Sequence, residues 1–425
     1  MFINRKNSSH PIENIEEESK FYSDLKPPQN NQIFLLKVSD IEMEDKLGSG
    51  HSSVVYRGNW NNPILKQIIP VAVKVMRAEM REAKNFAYIS DMLNEFRAMQ
   101  MLSHSNLLRL FGIVLNDQVM IVTELAPLGS LLRLLRANSL SVDQSKNCFT
   151  VDSLWDICQQ ISNGMDHLVE KNFIHRDLAA RNVFVFSIYK KNYPLVKIGD
   201  FGLARYLENR LEHREEGVCV DMDEMPEEMF DGVYNGKLST PIPIAWSAIE
   251  SLESNLFSQA SDIWSWAVVA WEIWTFGAKP WSELNATALC NKIRAGHRLP
   301  WPKLNCPRSM YQLMLACWNL DSGARPTFSY LSRRLEKIKP IGCVAKENFD
   351  EVDRLGVEKS DYVIIFDAPK SSSWWRGQNR RTGEIGSLPN HLLEVVDDNG
   401  KESNNWDPLS QLEEIFLDPL DLKGE

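Results

Sequence analysis

The stretch FIHRDLAARNVFVF, residues 173–186, places His175, Arg176, Asp177, Arg181 and Asn182 within eight residues, between two apolar segments that read as strand. A charged knot beside buried flanks costs free energy unless its groups are paired or put to chemical use. Working outward, Asp200-Phe201-Gly202 follows the second flank, LVKIG, and VAVK with Lys74 and a helical stretch with Glu95 precede the knot by about a hundred residues.

The bulk numbers set the frame. The 425 residues exceed what one core usually serves, which predicts two or three domains. Apolar residues make up 44% and charged ones 24%, and 47 basic against 57 acidic side chains give a net charge of −10, which argues against a nucleic-acid partner. Seven scattered cysteines with no C-x-x-C pair suggest reduced thiols rather than a disulfide framework or a zinc ribbon. MFINRKNSSH at the start shows neither an apolar signal core nor a glycine at the second position, and the most apolar run, Trp264 to Phe276, is thirteen residues long and contains Glu272. Such a run predicts a buried helix and no transmembrane segment.

Periodicity divides the chain. Residues 1–36 are polar and aperiodic and read as a flexible arm. IEMEDKLGSG, SSVVYRGNW and PVAVKVM read as successive strands, and Asp91 to Leu102 has helical spacing. From about residue 130 the pattern is helical up to Ile338, interrupted by VFVF and LVKIG around the opening motif. Short β-like runs, YVIIFD, SWWRGQ and EIGSLP, then predict a small all-β module, and an acidic tail from residue 398 contains WDPLSQLEEIFLDPLDL, a solvated segment or a short docking element.

The chemistry resides in the conjunction of motifs. LGSGHSSVV, 47–55, sets Gly48 and Gly50 in a strand-to-strand turn whose backbone can cover phosphates, although Ser53 stands where the third glycine of such a loop would be. Lys74 and Glu95 fit a pair in which a carboxylate holds an ammonium against phosphate oxygens. Asp177 supplies a carboxylate for a hydroxyl proton, and Asn182 and Asp200 supply two oxygen ligands for Mg²⁺. Phosphoryl transfer needs that division, because metal and lysine offset the charge of the γ-phosphoryl group while a base orients the nucleophile.

With these motifs in order, and with Ala248-Ile249-Glu250, Ser261-Asp262 and Arg325 behind them, residues 40–340 resemble a eukaryotic protein kinase domain. The resemblance implies an α+β, bilobal protein kinase fold with a β-rich N-lobe and a helical C-lobe over 37–340, followed by a small SH3-like barrel over 343–397. It assigns Asp177 as catalytic base with Arg181 beside it, Lys74 to the nucleotide phosphates with Glu95 positioning it, and Asn182 and Asp200 to Mg²⁺. ATP would lie among Leu47, Gly48, Gly50, Val55, Ala72 and Lys74, against Thr123 as gatekeeper and a hinge at Glu124 and Ala126. Glu250 and Arg325 would form a structural ion pair. Ala179 with Arg181, in place of a lysine two residues after the base, together with PIPIAW at 241–246, resembles tyrosine kinases and implies protein tyrosine as substrate. TELAPLGSLLRLLR, IAWSAIE, SQASDIW and WWRGQNRRT, with an SH3-like module after the kinase rather than before it, resemble the Ack family. A cytoplasmic enzyme recruited by partners to membranes or endocytic sites in receptor-linked signalling is what that family implies.

Departures qualify the resemblance. Residues 397–425 contain nothing like the family's I-S-x-P…F-x-H-x-x-H element, so no small-GTPase binding through it is expected. In the SH3-like groove two tyrosines are replaced by Glu347 and Leu392, while Phe349, Trp374 and Pro389 remain, and Asp350, Glu351 and Asp353 are expected to attract a basic ligand residue. Two readings follow: the module takes proline-rich peptides weakly, or it packs on its own kinase domain. The segment from Asp200 to Glu250 is long and carries the acidic insertion EEGVCVDMDEMPEEMFD; within it Tyr234 matches the family's autophosphorylated tyrosine, with Arg176 as the expected partner of its phosphate. Ser53, Ile249 and Ala267 replace common kinase residues and keep a second reading open, an ATP-binding scaffold of little or no activity.

Overall fold

The computed structural model describes residues 35–50, 53–77, 86–116, 118–139, 149–188, 194–207, 229–230, 233–236, 242–282, 284–369 and 371–396. The N-terminal arm up to residue 34, most of the acidic insertion and the tail from 397 lie outside the described residues.

The first lobe is a five-stranded antiparallel sheet with one helix. Strands β1 (Ile41–Ser49), β2 (Ser53–Asn62) and β3 (Gln67–Met76) are followed by helix α1 (Phe86–Met101) and strands β4 (Leu110–Leu115) and β5 (Val119–Glu124), in the order β1-β2-β3-β5-β4. Alternation explains β3: Ile69, Val71, Val73 and Val75 are buried together with Val122 of β5 and Val114 of β4 in the lobe's own core. The intervening Ala72 and Lys74 therefore face the other side, the side on which nucleotide is expected. Strands β4 and β5, which no reading of the sequence singled out, complete this sheet.

The second lobe is helical. Helices α2 (Leu131–Ser139) and α3 (Val151–Glu170) lead to β6 (Phe173–Ile174), the opening motif, β7 (Val183–Ser187), β8 (Leu195–Ile198) and β9 (Arg205–Tyr206). The apolar flanks of the motif are thus short strands: β7 pairs with β8 and β6 with β9. Next come β10 (Met229–Phe230), β11 (Val233–Asn235), helix α4 (Ile249–Ser254), β12 (Leu256–Phe257) and helix α5 (Gln259–Trp274). Helix α5 is the thirteen-residue apolar run, extended N-terminally by a Ser258/Ser261 capping box. It is buried on all sides, Trp264, Trp266 and Trp274 included, which is why its sequence lacks an amphipathic stripe. Helices α6 (Ala286–Arg294), α7 (Arg308–Cys317) and α8 (Phe328–Lys337) close the lobe. Among the described residues no helix is long and apolar enough to cross a membrane. Cys158, Cys290, Cys306, Cys317 and Cys343 are buried free thiols, and burial pushes that of Cys343 up to about 12.

The C-terminal module is a five-stranded antiparallel sheet, β13 (Ile341–Ala345), β14 (Tyr362–Asp367), β15 (Trp374–Asn379), β16 (Ile385–Pro389) and β17 (Leu393–Val395), ordered β16-β15-β14-β13-β17 and consistent with a small barrel. One face encloses Cys343, Val363, Ile365, Trp375 and Leu388. The other contributes Ile364 and Phe366 to the core of the large lobe. Two side chains of the module bind the starts of large-lobe helices. The Gln378 Oε1 accepts from the Val151 amide at 2.8 Å and the Asp367 carboxylate accepts from the Arg308 amide at 3.1 Å. Both amides belong to first helical turns, where backbone donors have no partner within the helix.

Candidate active site

The cleft between the lobes collects the residues singled out by motif. Lys74 on β3 reaches across to Glu95 on α1, with Nζ 2.7 and 2.8 Å from the two carboxylate oxygens, and donates at 2.9 Å to the Asp200 Oδ1. Burial opposes the charge on Lys74, but Glu95 and Asp200 outweigh it and raise the ammonium's pKa. In return Lys74 holds the Asp200 carboxyl below its ordinary value despite burial. Three elements from two lobes therefore meet at one ammonium group, at a separation of 126 residues between Lys74 and Asp200.

Asp200 sits in the left-handed region, φ 61°, at the entry to a single 3₁₀ turn over Phe201–Leu203. Phe201 is buried in the large core and its ring lies 5.3 Å from that of His175. This places the aspartate in the cleft and the phenylalanine under α1, so a non-glycine residue is held in a conformation that costs energy in isolation.

The opening motif is fastened from below. The Asp262 carboxylate of α5 accepts from the His175 and Arg176 amides at 2.7 and 3.0 Å. Glu272, also of α5, accepts from the Ala180 amide at 3.0 Å and from the Trp246 indole at 2.8 Å. Two acids in an otherwise apolar helix thus fix both ends of the loop, and burial raises the carboxyl pKa of each. Within the loop, Arg181 donates to one oxygen of Asp177 and Asn182 Nδ2 donates to the other at 2.9 Å. Burial raises the Asp177 carboxyl above its ordinary value, against the pull of Arg181. The Arg181 guanidinium lies 4.5 Å from the centroid of Trp246, so the PIPIAW segment supplies the aromatic surface on which this cation rests.

Several of the residues expected around nucleotide are cross-strand neighbours in the first-lobe sheet. Gly48 pairs with Val55, Val55 with Lys74, and Ala72 with Thr123, which is buried. Leu47 is exposed at the edge of β1, and His51 and Ser52 of the glycine turn lie outside the described residues. Glu124 differs from the rest. Its carboxylate is already engaged, accepting from Lys197 Nζ at 2.8 and 2.9 Å and from the Arg109 amide at 2.7 Å, which leaves its backbone for a nucleotide. Glu250 and Arg325 form the expected bidentate pair at 2.6 and 2.8 Å.

Oxygen donors suited to a hard divalent cation are present. Asn182 points its amide nitrogen at Asp177, which leaves its side-chain oxygen without a donor among the described residues, and the Asp200 side chain is half exposed. An amide oxygen and a carboxylate fit Mg²⁺, which commonly takes few protein ligands and completes its shell with phosphate oxygens and water.

Tyr234 on β11 is 5% exposed and lies with its ring 4.6 Å from the Arg176 guanidinium, which also stacks on Phe257 at 4.2 Å. Phe349, Trp374 and Pro389 are gathered in the separate C-terminal module. The rings of Phe349 and Trp374 stand edge to face at 6.3 Å, and Pro389 is the cross-strand partner of Trp374. Glu272 and the Glu124–Lys197 pair escaped the sequence reading. The one available signal was a glutamate inside an apolar helix.

A family model described as protein tyrosine and serine/threonine kinase matches residues 41–233 and 225–335. The chain is 38% identical over 363 residues to "Activated Cdc42 kinase Ack" of Drosophila melanogaster, covering 85% of this chain and 30% of that protein. "Activated Cdc42 kinase-like" of the same species is 32% identical over 409 residues, 95% of this chain and 28% of that protein. "Non-receptor tyrosine-protein kinase TNK1" of Homo sapiens is 32% identical over 381 residues, 88% of this chain and 52% of that protein. The chain therefore spans from about a quarter to about half of these relatives, and the resemblance to Ack kinases seen in its motifs extends along most of its length.

Proposed function

The chain belongs to the protein tyrosine and serine/threonine kinase family, and from that premise we propose that it is a non-receptor protein-tyrosine kinase transferring the γ-phosphoryl group of ATP to protein tyrosine. The observation that carries this reading is the ion-pair network in the cleft, in which Lys74 joins Glu95 to Asp200, together with the Asp177–Asn182 hydrogen bond.

In this mechanism Lys74 binds phosphate oxygens and Glu95 holds its ammonium in place, so the lysine meets the phosphates without a further ordering cost. Asn182 and Asp200 would hold Mg²⁺, which would supply charge neutralisation for the triphosphate. The tyrosyl oxygen forms its bond to the γ-phosphorus as the bond from that phosphorus to the β,γ-bridging oxygen breaks. The electron pair leaves with ADP, and the phenolic proton passes to the Asp177 carboxylate. Arg181, spread over Trp246, keeps Asp177 turned toward the hydroxyl, and Asp262 and Glu272 hold the loop's backbone. Leu47, Gly48, Gly50, Val55, Ala72, Thr123 and the backbone of Glu124 and Ala126 enclose the base and phosphates. The kinase unit is 37–340 and the SH3-like unit 343–397 in this reading. Phosphate on Tyr234 pairs with Arg176 and orders the segment around it. The setting is cytoplasmic, with recruitment by partners.

Purified protein with Mg²⁺-ATP and poly(Glu,Tyr), against Asp177→Asn, tests the proposal. Phosphotyrosine that vanishes in the variant is expected. No product from either protein while nucleotide still binds would instead establish an ATP-binding scaffold, the reading that Ser53, Ile249 and Ala267 favour.

A further inference from the structure

The SH3-like groove carries its own cation. Arg354, in the loop between β13 and β14, lies with its guanidinium 4.2 Å from the centroid of Trp374, the aromatic that Phe349 meets edge-on and Pro389 faces across the strand pair. Asp350, Glu351 and Asp353 are its chain neighbours, yet among the described residues no carboxylate forms an ion pair with it. Among the described residues its one hydrogen bond is a turn bond from its own amide to the Glu351 carbonyl. Lys303 of the large lobe, with Asp353 and Glu384, borders the same cavity of about 900 Å³ that Arg354 lines between module and lobe. An aromatic groove of this kind ordinarily takes proline on its rings and a basic ligand residue beside them. Here the basic position beside Trp374 is filled from within, so the complementary ligand brings a carboxylate next to its proline.

The chain contains that ligand twice. Asp407-Pro408-Leu409 and Asp418-Pro419-Leu420 lie in a tail, 397–425, with nine acidic residues against two lysines. We propose that residues 403–423 dock in cis on the Phe349/Trp374/Pro389 groove, with the proline of one Asp-Pro-Leu element on the rings and its aspartate on Arg354. The tether reaches. Val396 is seven residues beyond Pro389 and so lies within roughly 25 Å of it, whereas the eleven residues from Val396 to Asp407 span up to about 36 Å. Covalent attachment supplies an effective concentration in the millimolar range, which suffices for a contact that would be weak between separate molecules. A charge-assisted bond to a cation already ordered on an indole adds specificity with little further loss of rotamer freedom.

Amide hydrogen exchange on the full chain tests this without reference to catalysis. Exchange across 403–423 is expected to be about tenfold or more slower in the unaltered protein than in Arg354→Glu. Protection should return when Asp407→Lys and Asp418→Lys are added to that variant. Unchanged protection of β14 and β15 shows that Arg354→Glu still folds, as the exposure of Arg354 leads one to expect. The proposal is overturned if 403–423 exchanges in the unaltered chain as fast as the free peptide of the same sequence. It is equally overturned if protection survives Arg354→Glu, or if an arginine-containing proline-rich peptide added in trans binds the unaltered chain and leaves the tail's exchange unchanged.

Discussion

Arginine lies on an aromatic ring both in the cleft between the lobes and in the C-terminal module, and the two stacks are finished differently. Arg181 rests on Trp246 and also holds Asp177, while Trp246 itself is tied to Glu272. Arg354 rests on Trp374 and has no carboxylate among the described residues. A stack that is closed by an acid is preorganised, with its charges fixed before substrate arrives. A stack that is open leaves its guanidinium donors to water, from which a ligand carboxylate can take them over. Arg176 on Tyr234 lies between these cases: the ring is buried, and the acid would come only with phosphorylation.

The comparison can be broken at several points. The largest effect is expected from Asp177→Asn, which removes the acid that closes the first stack. Phosphotyrosine formation should fall about 10³-fold, on the scale of general-base catalysis, with ATP affinity by calorimetric titration unchanged. In the unaltered chain burial raises the Asp177 carboxyl, and in the proposed mechanism the ionised form is the one that accepts the proton. The acid limb of kcat/KM should therefore lie above the ordinary carboxylate range, with the rate lost as pH falls through it.

Glu272→Ala should come next, leaving the Ala180 amide and the Trp246 indole without their shared acceptor. About 3 kcal/mol of unfolding free energy should disappear in a denaturant titration, and wild-type stability would show that Glu272 does not fasten the loop. Asp361→Asn probes the scaffold behind the open stack. Asp361 accepts from Arg381 at 2.7 and 2.8 Å, from Asn379 at 2.8 Å and from the Glu358 amide at 2.8 Å. The Arg381 bonds, against the opposing effect of burial, depress its carboxyl pKa. Its stabilisation is thus complete above the unfolded value of about 3.9 and is lost as pH falls toward the folded one. The variant should lose about 2 kcal/mol at neutral pH and show a flatter acid unfolding curve.

The smallest change is expected at the intermediate stack. Tyr234→Phe keeps the ring under Arg176 but cannot take phosphate. After preincubation with ATP, peptide phosphorylation should drop by at most about fivefold, roughly 1 kcal/mol. Undiminished activity would remove Tyr234 from the account of regulation.

Much of the cleft was legible because its chemistry is written in local order. His175-Arg176-Asp177, Asn182 and Asp200-Phe201-Gly202 keep fixed spacings along a loop and two short strands. The Lys74–Glu95 pair follows from a strand succeeded by a helix. Glu272 was hidden because helix α5 is buried on every side, so its sequence gives no face on which a functional acid stands out. Glu124 was read only as hinge, since its ion pair with Lys197 joins residues 73 apart in sequence. Strands β4 and β5 were passed over because short apolar runs do not by themselves distinguish strand from buried helix.

The sequence alone pointed to the kinase fold through the resemblance that its ordered motifs carry, nominated the phosphate-binding and base residues, and predicted a β module after them, because motif spacing and hydrophobic period are properties of neighbouring residues. Only the tertiary structure decided which charges are closed and which are open. It set the seat of the module on the starts of α3 and α7, the acids of α5 beneath the loop, and the cation on Trp374. Each of these joins groups far apart in the chain, and long-range pairing is fixed by packing rather than by order.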